Sequence, residues 1–214
     1  MSNIENFSNR IADKIAYEIN INDEKKEIIA YGIFGIIQTL LSILFVAIFG
    51  FIFNVLIEAL IVSFTASILR KYSGGVHASS PNICMTIGTF NCTIIPIIIK
   101  KLNLSFNCVF LVGILIFILS YIAILKLAPV DSINKPIKSI KKRKELKNKS
   151  IFILTIYFLI VVIFLVLYKF STNIKLLFYC VCIYAGIFWQ IFTLTKTGHI
   201  ILVSVDSFLN KFIK

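Results

Sequence analysis

Charged residues are scarce in this chain, and acidic ones are the scarcest. Asp, Glu, Lys and Arg make up 15% of its 214 residues, whereas hydrophobic residues make up 58%. An ordinary soluble domain has roughly 25% charged and 45–50% apolar residues. The composition therefore excludes a single soluble core and favours a protein embedded in a membrane.

Histidine is nearly absent, and cysteine is present in an odd number. The two histidines, His77 and His199, are far apart in the chain, and the cysteines show no metal-ligand spacing. We therefore expect no metal site and no cofactor. An odd number of cysteines scattered through apolar runs does not predict a disulfide framework. The five are Cys84, Cys92, Cys108, Cys180 and Cys182.

The net charge of +12 comes from 22 basic residues against 10 acidic ones. The basic residues flank the apolar runs, where such residues fix the orientation of membrane segments and contact anionic lipid. We therefore expect a lipid partner and no nucleic acid. The first 27 residues lack the features of a cleavable signal peptide, so the first long apolar run is expected to direct membrane insertion.

The apolar runs predict an all-α, polytopic membrane protein. One span needs roughly 20 apolar residues, and the runs provide about six such spans. They cover residues 28–49, 52–69, 84–99, 104–125, 151–168 and 174–195. We divide the chain into an amphipathic interfacial helix at 1–27, a transmembrane catalytic domain at 28–198 and an amphipathic tail at 199–214.

Basic residues also predict the orientation of these spans. The segment 131–149, interpreted as a loop, carries eight Lys and Arg residues. If it lies in the cytoplasm, both termini and the segment between spans two and three lie there too. Of the 22 basic residues, only Lys100, Lys101, Lys169 and Lys175 then fall outside.

Chemically useful side chains are concentrated between spans two and three. The stretch 70–84, RKYSGGVHASSPNIC, is polar, rich in small residues and contains both His77 and Cys84. Cysteine attacks as the thiolate, and a free thiol with a pKa of about 8.5 needs help to ionise at neutral pH. A neighbouring imidazole can take that proton. His77 and Cys84 could therefore serve as base and nucleophile.

Spacing limits how such a pair can form. Seven residues along a straight helix separate two side chains by about 10.5 Å, whereas a base must lie about 2.6–3.2 Å from its nucleophile. The pair needs a loop instead. Gly74 and Gly75 permit unusual backbone angles, and Pro81 disfavours helix at Ser80. We predict a loop over 73–82 that folds back over the start of the third span, with Pro81 as an early helical residue and Cys84 in the first turn. The plain alternative is an ordinary turn followed by a core cysteine.

Two separated motifs carry a family resemblance. The run Arg70 to Ala78, with Cys84 seven residues after its histidine, resembles the accessory gene regulator B family. The run Ala128-Pro129-Val130-Asp131-Ser132-Ile133-Asn134-Lys135-Pro136 resembles the second signature of that family. The likeness covers most of the chain.

The resemblance implies a quorum-sensing cysteine endopeptidase of the bacterial cell membrane. Such enzymes remove the C-terminal tail of a short propeptide and close the remainder into a thiolactone or lactone ring. It also implies that His77 and Cys84 are catalytic, that Arg70 and Gly75 support them, and that a homodimer is compatible with the family. The residues alone leave two alternatives, a small transporter or exporter and a non-catalytic membrane scaffold.

Further residues have two interpretations each. Asn82 could orient His77 or cap the third span. Glu58 inside span two could line a polar cavity near the site or pair with a lysine. Four basic residues could attract an acidic propeptide tail or lipid headgroups. They are Lys141, Lys142, Arg143 and Lys144.

Overall fold

The computed structural model describes residues 3–76, 78–131, 137 and 139–213. These residues contain no β-strand, which confirms the all-α prediction. They form eight α-helices: α1 Asn3–Ile19, α2 Asp23–Ile52, α3 Leu56–Ser73, α4 Pro81–Lys100, α5 Phe106–Leu127, α6 Ile140–Ser171, α7 Ile174–Phe192 and α8 Lys196–Ile213.

Five of these helices are long and apolar enough to cross a membrane, namely α2, α4, α5, α6 and α7. The chain is therefore a multi-pass membrane protein, but the prediction of six spans is not confirmed. The remaining candidate, α3, has 18 residues and contains Glu58, Arg70 and Lys71. Those three charges keep it outside the group of clearly apolar helices.

The chain divides into two compact units, Met1–Phe45 and Val46–Lys214. Within the first unit, α1 is amphipathic and buries Ser8 and Ala12. Lys26 at the start of α2 forms ion pairs with Asp13 (3.3 Å) and Asp23 (3.2 Å). These pairs are exposed, so they contribute little to stability.

Helix α7 is the centre of the second unit and contacts α3, α4, α5 and α6. Close approach to α3 depends on a small residue, because a Cβ on Gly186 would lie 2.8 Å from Thr65 Cβ and 2.9 Å from the Val62 carbonyl oxygen. Small residues at helix contacts are typical of membrane proteins, where backbone proximity replaces hydrophobic burial. The Tyr157 hydroxyl adds a hydrogen bond from α6 to the Thr65 carbonyl oxygen (3.2 Å).

The basic segment that the sequence predicted as a loop is partly helical. Helix α6 begins at Ile140, so the interpretation of residues 140–149 as loop was wrong. The Ser139 hydroxyl accepts a hydrogen bond from the Lys142 amide (3.4 Å) and caps the helix start. Lys149 pairs with Glu145 one turn earlier (2.6 Å), which further favours helix.

Candidate active site

Cys84 lies in the first turn of α4, as the position of Pro81 predicted. The helix begins at Pro81, and the Ser80 hydroxyl accepts a hydrogen bond from the Ile83 amide (3.3 Å). The Cys84 amide donates to the Ser80 carbonyl oxygen (3.1 Å), which is the first hydrogen bond of the helix. The thiol is half-buried and free. It therefore sits where the helix N-terminus favours a negative charge.

Asn82 does not cap this helix, so that interpretation was wrong. Ser80 is the N-cap because its extended backbone places the hydroxyl over the free amides of the first turn. Asn82 is exposed one residue into the helix, and its carbonyl oxygen accepts from the Thr86 hydroxyl (2.9 Å).

The chain leaves α3 through two glycines with left-handed backbone angles, φ +70° at Gly74 and +132° at Gly75. Gly74 forms an isolated parallel bridge with Val130, whose amide donates to the Ser73 carbonyl oxygen (3.0 Å). A Cβ on Gly75 would lie 2.7 Å from Thr193 Oγ1. Both positions therefore require glycine, for conformation and for space.

The end of α7 holds the same segment from the other side. Gln190 is fully buried, and its Nε2 donates to Ser73 Oγ (2.9 Å) and to the Gly74 carbonyl oxygen (2.7 Å). The Val76 amide donates to the Thr193 carbonyl oxygen (3.3 Å). Sequence reasoning missed Gln190 and Thr193, although a glutamine inside an apolar span by itself indicates a structural or functional role.

Arg70 connects this segment to the cysteine. Its guanidinium donates to the Val76 carbonyl oxygen. Burial lowers the pKa of Arg70, whereas the negative charge that Cys84 can carry acts in the opposite direction. Arg70 and Cys84 therefore belong to one electrostatic neighbourhood.

The C-terminal helix contacts the segment just before Cys84. Asp206 Oδ1 accepts hydrogen bonds from the Ser79 amide (3.0 Å) and the Ser79 hydroxyl (3.1 Å). Asn210 Nδ2 donates to Ser79 Oγ (2.8 Å). The sequence analysis did not single out Asp206. Asp206 could have been noticed as the one acidic residue among residues 199–214.

The structure places Gly75 and the Val76 carbonyl oxygen that Arg70 binds in the loop that leads to Cys84, whereas His77 lies outside the described residues. Glu58 is elsewhere. It lies at the beginning of α3, and the site lies at its end. It pairs with Lys100 Nζ (3.4 Å), which also donates to the Asn54 carbonyl oxygen. Of its two interpretations, the geometry favours pairing with a lysine.

The second sequence motif reaches the site through its first residues. Val130 pairs with Gly74, and Asp131 accepts a hydrogen bond from Arg143 Nη2 (2.7 Å). The basic start of α6, with Lys141, Lys142 and Lys144, is thereby tied to the segment beside Cys84. Asn134 and Pro136 of this motif lie outside the described residues.

Within the described part of the chain, no group of three or more His, Cys, Asp or Glu side chains is arranged to hold a metal ion. The described part of the site therefore offers two chemical groups, the Cys84 thiol and the Arg70 guanidinium, together with a hydrogen-bonded loop.

Comparison with known proteins points to one family. A family model described as accessory gene regulator B matches residues 8–194. The chain is 46% identical over 211 residues to AgrB-like protein 2 of Clostridium perfringens strain 13, covering 97% of this chain and 99% of that relative. It is 44% identical over 211 residues to an AgrB-like protein of C. perfringens strain SM101, with the same coverage. Accessory gene regulator protein B of Staphylococcus intermedius is 32% identical over 100 residues, covering 47% of this chain and 50% of that protein. No solved structure matches.

Proposed function

This chain belongs to the accessory gene regulator B family, and from that membership and the site geometry we propose that it is a membrane cysteine endopeptidase acting in quorum sensing. Its substrate is a short propeptide, from which it removes the C-terminal tail. It then closes the remainder into a thiolactone or lactone ring. The observation that carries the proposal is the half-buried Cys84 thiol in the first turn of α4, which follows a loop held by the Arg70 guanidinium.

Two fixed positive groups favour the thiolate that the reaction needs. The amides of the first turn of α4 carry partial positive charge, and Arg70 adds a full one. His77 takes the thiol proton as general base. An ordinary structural cysteine in a membrane helix would be surrounded by apolar side chains, as the buried Cys180 is by its neighbours in the core around α7.

The first half of the reaction forms a thioester. The Cys84 sulfur attacks the carbonyl carbon at the cleavage site, and backbone amides at the start of α4 are the candidates to stabilise the oxyanion. The C–N bond then breaks, and His77 returns its proton to the leaving amine. The tail departs with a new amino terminus, and the acyl group stays on Cys84.

The second half closes the ring. A cysteine or serine inside the propeptide gives its proton to His77 and attacks the thioester carbonyl. The bond to Cys84 breaks, and the sulfur recovers a proton from His77. Exchange of a thioester for a thiolactone is nearly balanced, whereas the first step is uphill. Departure of the tail must therefore drive the overall reaction.

The basic start of α6 is a candidate site for the propeptide tail. Asp131 pairs with Arg143, and the preceding residue Val130 pairs with Gly74. The turn of α6 that carries Lys141, Lys142 and Lys144 is thereby connected to the Gly74 segment. A fixed cluster of like charges raises the local concentration of an acidic peptide. Lipid headgroups compete for the same side chains, because the cluster also matches an anionic membrane surface.

We propose that the Cys84 end of the helices lies on the cytoplasmic side together with both termini, which requires α3 to cross the membrane as a sixth span. The basic start of α6 supports this placement, since positive residues are retained in the cytoplasm. The alternative function is a small transporter. Its support is the Glu58–Lys100 pair, but that pair lies at the opposite end of α3 and α4 from Cys84.

Purified protein in lipid vesicles, incubated with candidate propeptides, tests the proposal. Mass spectrometry should detect tail release and a cyclic product with wild type, and neither with Cys84→Ala or His77→Ala. Cys108→Ala is the matched control, since Cys108 is an exposed cysteine of α5. Tail release that survives Cys84→Ala would refute the mechanism and favour the transporter alternative.

A further inference from the structure

The C-terminal helix α8 binds the segment between His77 and Cys84 through one carboxylate. Asp206 accepts two hydrogen bonds from Ser79, one from its amide and one from its hydroxyl. Its second oxygen accepts from Asn210 Nδ2 (3.3 Å), and Asn210 also donates to Ser79 Oγ. Ser79 is therefore held at two atoms by two residues of α8.

Asp206 is 9% exposed. A carboxylate this buried costs free energy unless hydrogen bonds compensate for the lost hydration. Here every oxygen of the carboxylate has a partner, and the backbone amide of Ser79 is one of them. The contact therefore fixes the Ser79 backbone as well as its side chain, because the amide and the hydroxyl bond the same oxygen.

The rest of α8 shows why a charged residue on its inner side is unusual. The side of α8 that faces away from the protein is amphipathic, with Ile200, Ile201 and Phe208 exposed beside Ser204 and Lys211. On a protein of this class, such a side suits the membrane interface. Membrane association of α8 therefore needs only the outer side, and the inner carboxylate has a different role.

Ser79 lies two residues after His77 and immediately before the N-cap of α4. On the other side of His77, the Val76 amide is held by the Thr193 carbonyl oxygen and the Val76 carbonyl by Arg70. Only His77 and Ala78 separate these two fixed points. The backbone on both sides of the histidine is thus tied to helices that are distant in sequence.

We propose that Asp206 is a positioning residue for the catalytic site: by fixing Ser79, the residue before the N-cap of α4, it holds the start of the helix that carries Cys84. This inference rests on the proposed function. A catalytic group must lie within about 0.5 Å of its productive position to act efficiently, and a displacement of about 1 Å can lower a rate roughly 100-fold. Asp206 does not contact the reacting atoms.

The test compares Asp206→Ala with Asp206→Asn in vesicles. Asparagine keeps an oxygen that can accept both Ser79 bonds, whereas alanine removes it. We expect Asp206→Ala to lower kcat for tail release by about 30- to 100-fold, with KM within twofold, and Asp206→Asn to retain most of kcat. Ser204→Ala on the same helix is the control, because its hydroxyl bonds only the Ile200 carbonyl oxygen of α8.

A second readout does not depend on the propeptide. The rate at which iodoacetamide alkylates Cys84, followed by mass spectrometry of the Cys84 peptide, reports how well the base activates the thiol. We expect a decrease of about tenfold in Asp206→Ala and no change in Ser204→Ala. Ser79→Ala should reduce the rate less, because the backbone amide still bonds Asp206.

The outcomes separate the two proposals. If Cys84 of wild type is alkylated rapidly but no tail is released from any propeptide, the proposed function fails. The alkylation rates of the variants still test the positioning role. If wild type releases the tail and Asp206→Ala matches it in kcat and alkylation rate, the positioning role is refuted. A change confined to KM would also refute it, because Asp206 would then act on substrate binding.

Discussion

Replacing Gly75 with alanine tests whether the loop geometry is needed for chemistry. Gly75 has φ +132°, a conformation that residues with a side chain rarely adopt. The added Cβ would lie 2.7 Å from Thr193 Oγ1 and 3.4 Å from Gln190 Nε2. Alanine at this position is therefore opposed both by its own backbone and by the end of α7.

The size of the effect follows from these two contributions. A non-glycine residue in such a backbone region costs about 1–3 kcal/mol, and inserting a methyl group into a packed site costs about 1–3 kcal/mol. Together they oppose the observed loop by about 2–6 kcal/mol. Since 1.36 kcal/mol corresponds to tenfold in rate, we expect tail release to slow by at least about 30-fold.

A second substitution separates the two contributions. Thr193→Ala removes the oxygen that the new Cβ would meet, so the Gly75→Ala/Thr193→Ala double variant should recover the steric share, about tenfold, and no more. Gly88→Ala in α4 is the control, since no atom lies within 4 Å of its added Cβ. Gly75→Ala activity within threefold of wild type, with an unchanged Cys84 alkylation rate, would show that this loop geometry is not required.

Three further changes have distinct expected outcomes. Gly186→Ala should lower the free energy of unfolding by about 1–3 kcal/mol, because its Cβ collides with α3; an unchanged melting temperature in detergent would contradict the close packing. Gln190→Leu should destabilise by a similar amount, because it removes the amide that donates to Ser73 Oγ and to the Gly74 carbonyl oxygen; thermal unfolding of this variant and of Gln190→Glu, which lacks the same donor, measures the loss. Neutralising Lys141, Lys142 and Lys144 with glutamine should raise KM for an acidic-tailed propeptide at low salt but hardly at 1 M salt; an equal effect at both would argue against electrostatic capture.

Local sequence signals predicted the helical architecture and the start of the cysteine helix. Pro81 fits an early helical position, whereas the cap, which the sequence analysis offered to Asn82, is Ser80. Gly74 and Gly75 predicted a loop because only glycine tolerates such backbone angles without strain. Long apolar runs predicted helices, because only a helix satisfies all backbone hydrogen bonds of a single membrane-spanning segment internally.

The contacts that hold the loop could not be predicted, because their partners are distant in sequence. Asp206 bonds a residue 127 positions away, and Gln190 bonds one 116 positions away. Hydrophobic periodicity describes one element at a time and contains no pairing between elements. The helical start of α6 was predictable in principle, since Glu145 and Lys149 have the spacing of a helical ion pair, but the density of positive charge suggested a loop.

Arg70 holds two parts of the site at once, and this leads to a sharp expectation for its conservative replacement. Its guanidinium donates to the Val76 carbonyl oxygen and interacts with Cys84. The planar fork of arginine can serve two partners in fixed directions, whereas the ammonium of lysine is a single point of charge on a flexible stem.

Arg70→Lys should therefore keep the charge and still lose function. Losing a hydrogen bond from a charged donor costs about 1.5–3 kcal/mol, so tail release should fall by roughly tenfold to 150-fold. Arg70→Gln keeps a donor for the Val76 carbonyl but lacks the charge. Its impairment should therefore appear as a slower alkylation of Cys84. The loop contact and the charge would then be separate requirements, each lost in one variant. Full activity in Arg70→Lys would mean that the positive charge alone matters and that the contact with Val76 is incidental.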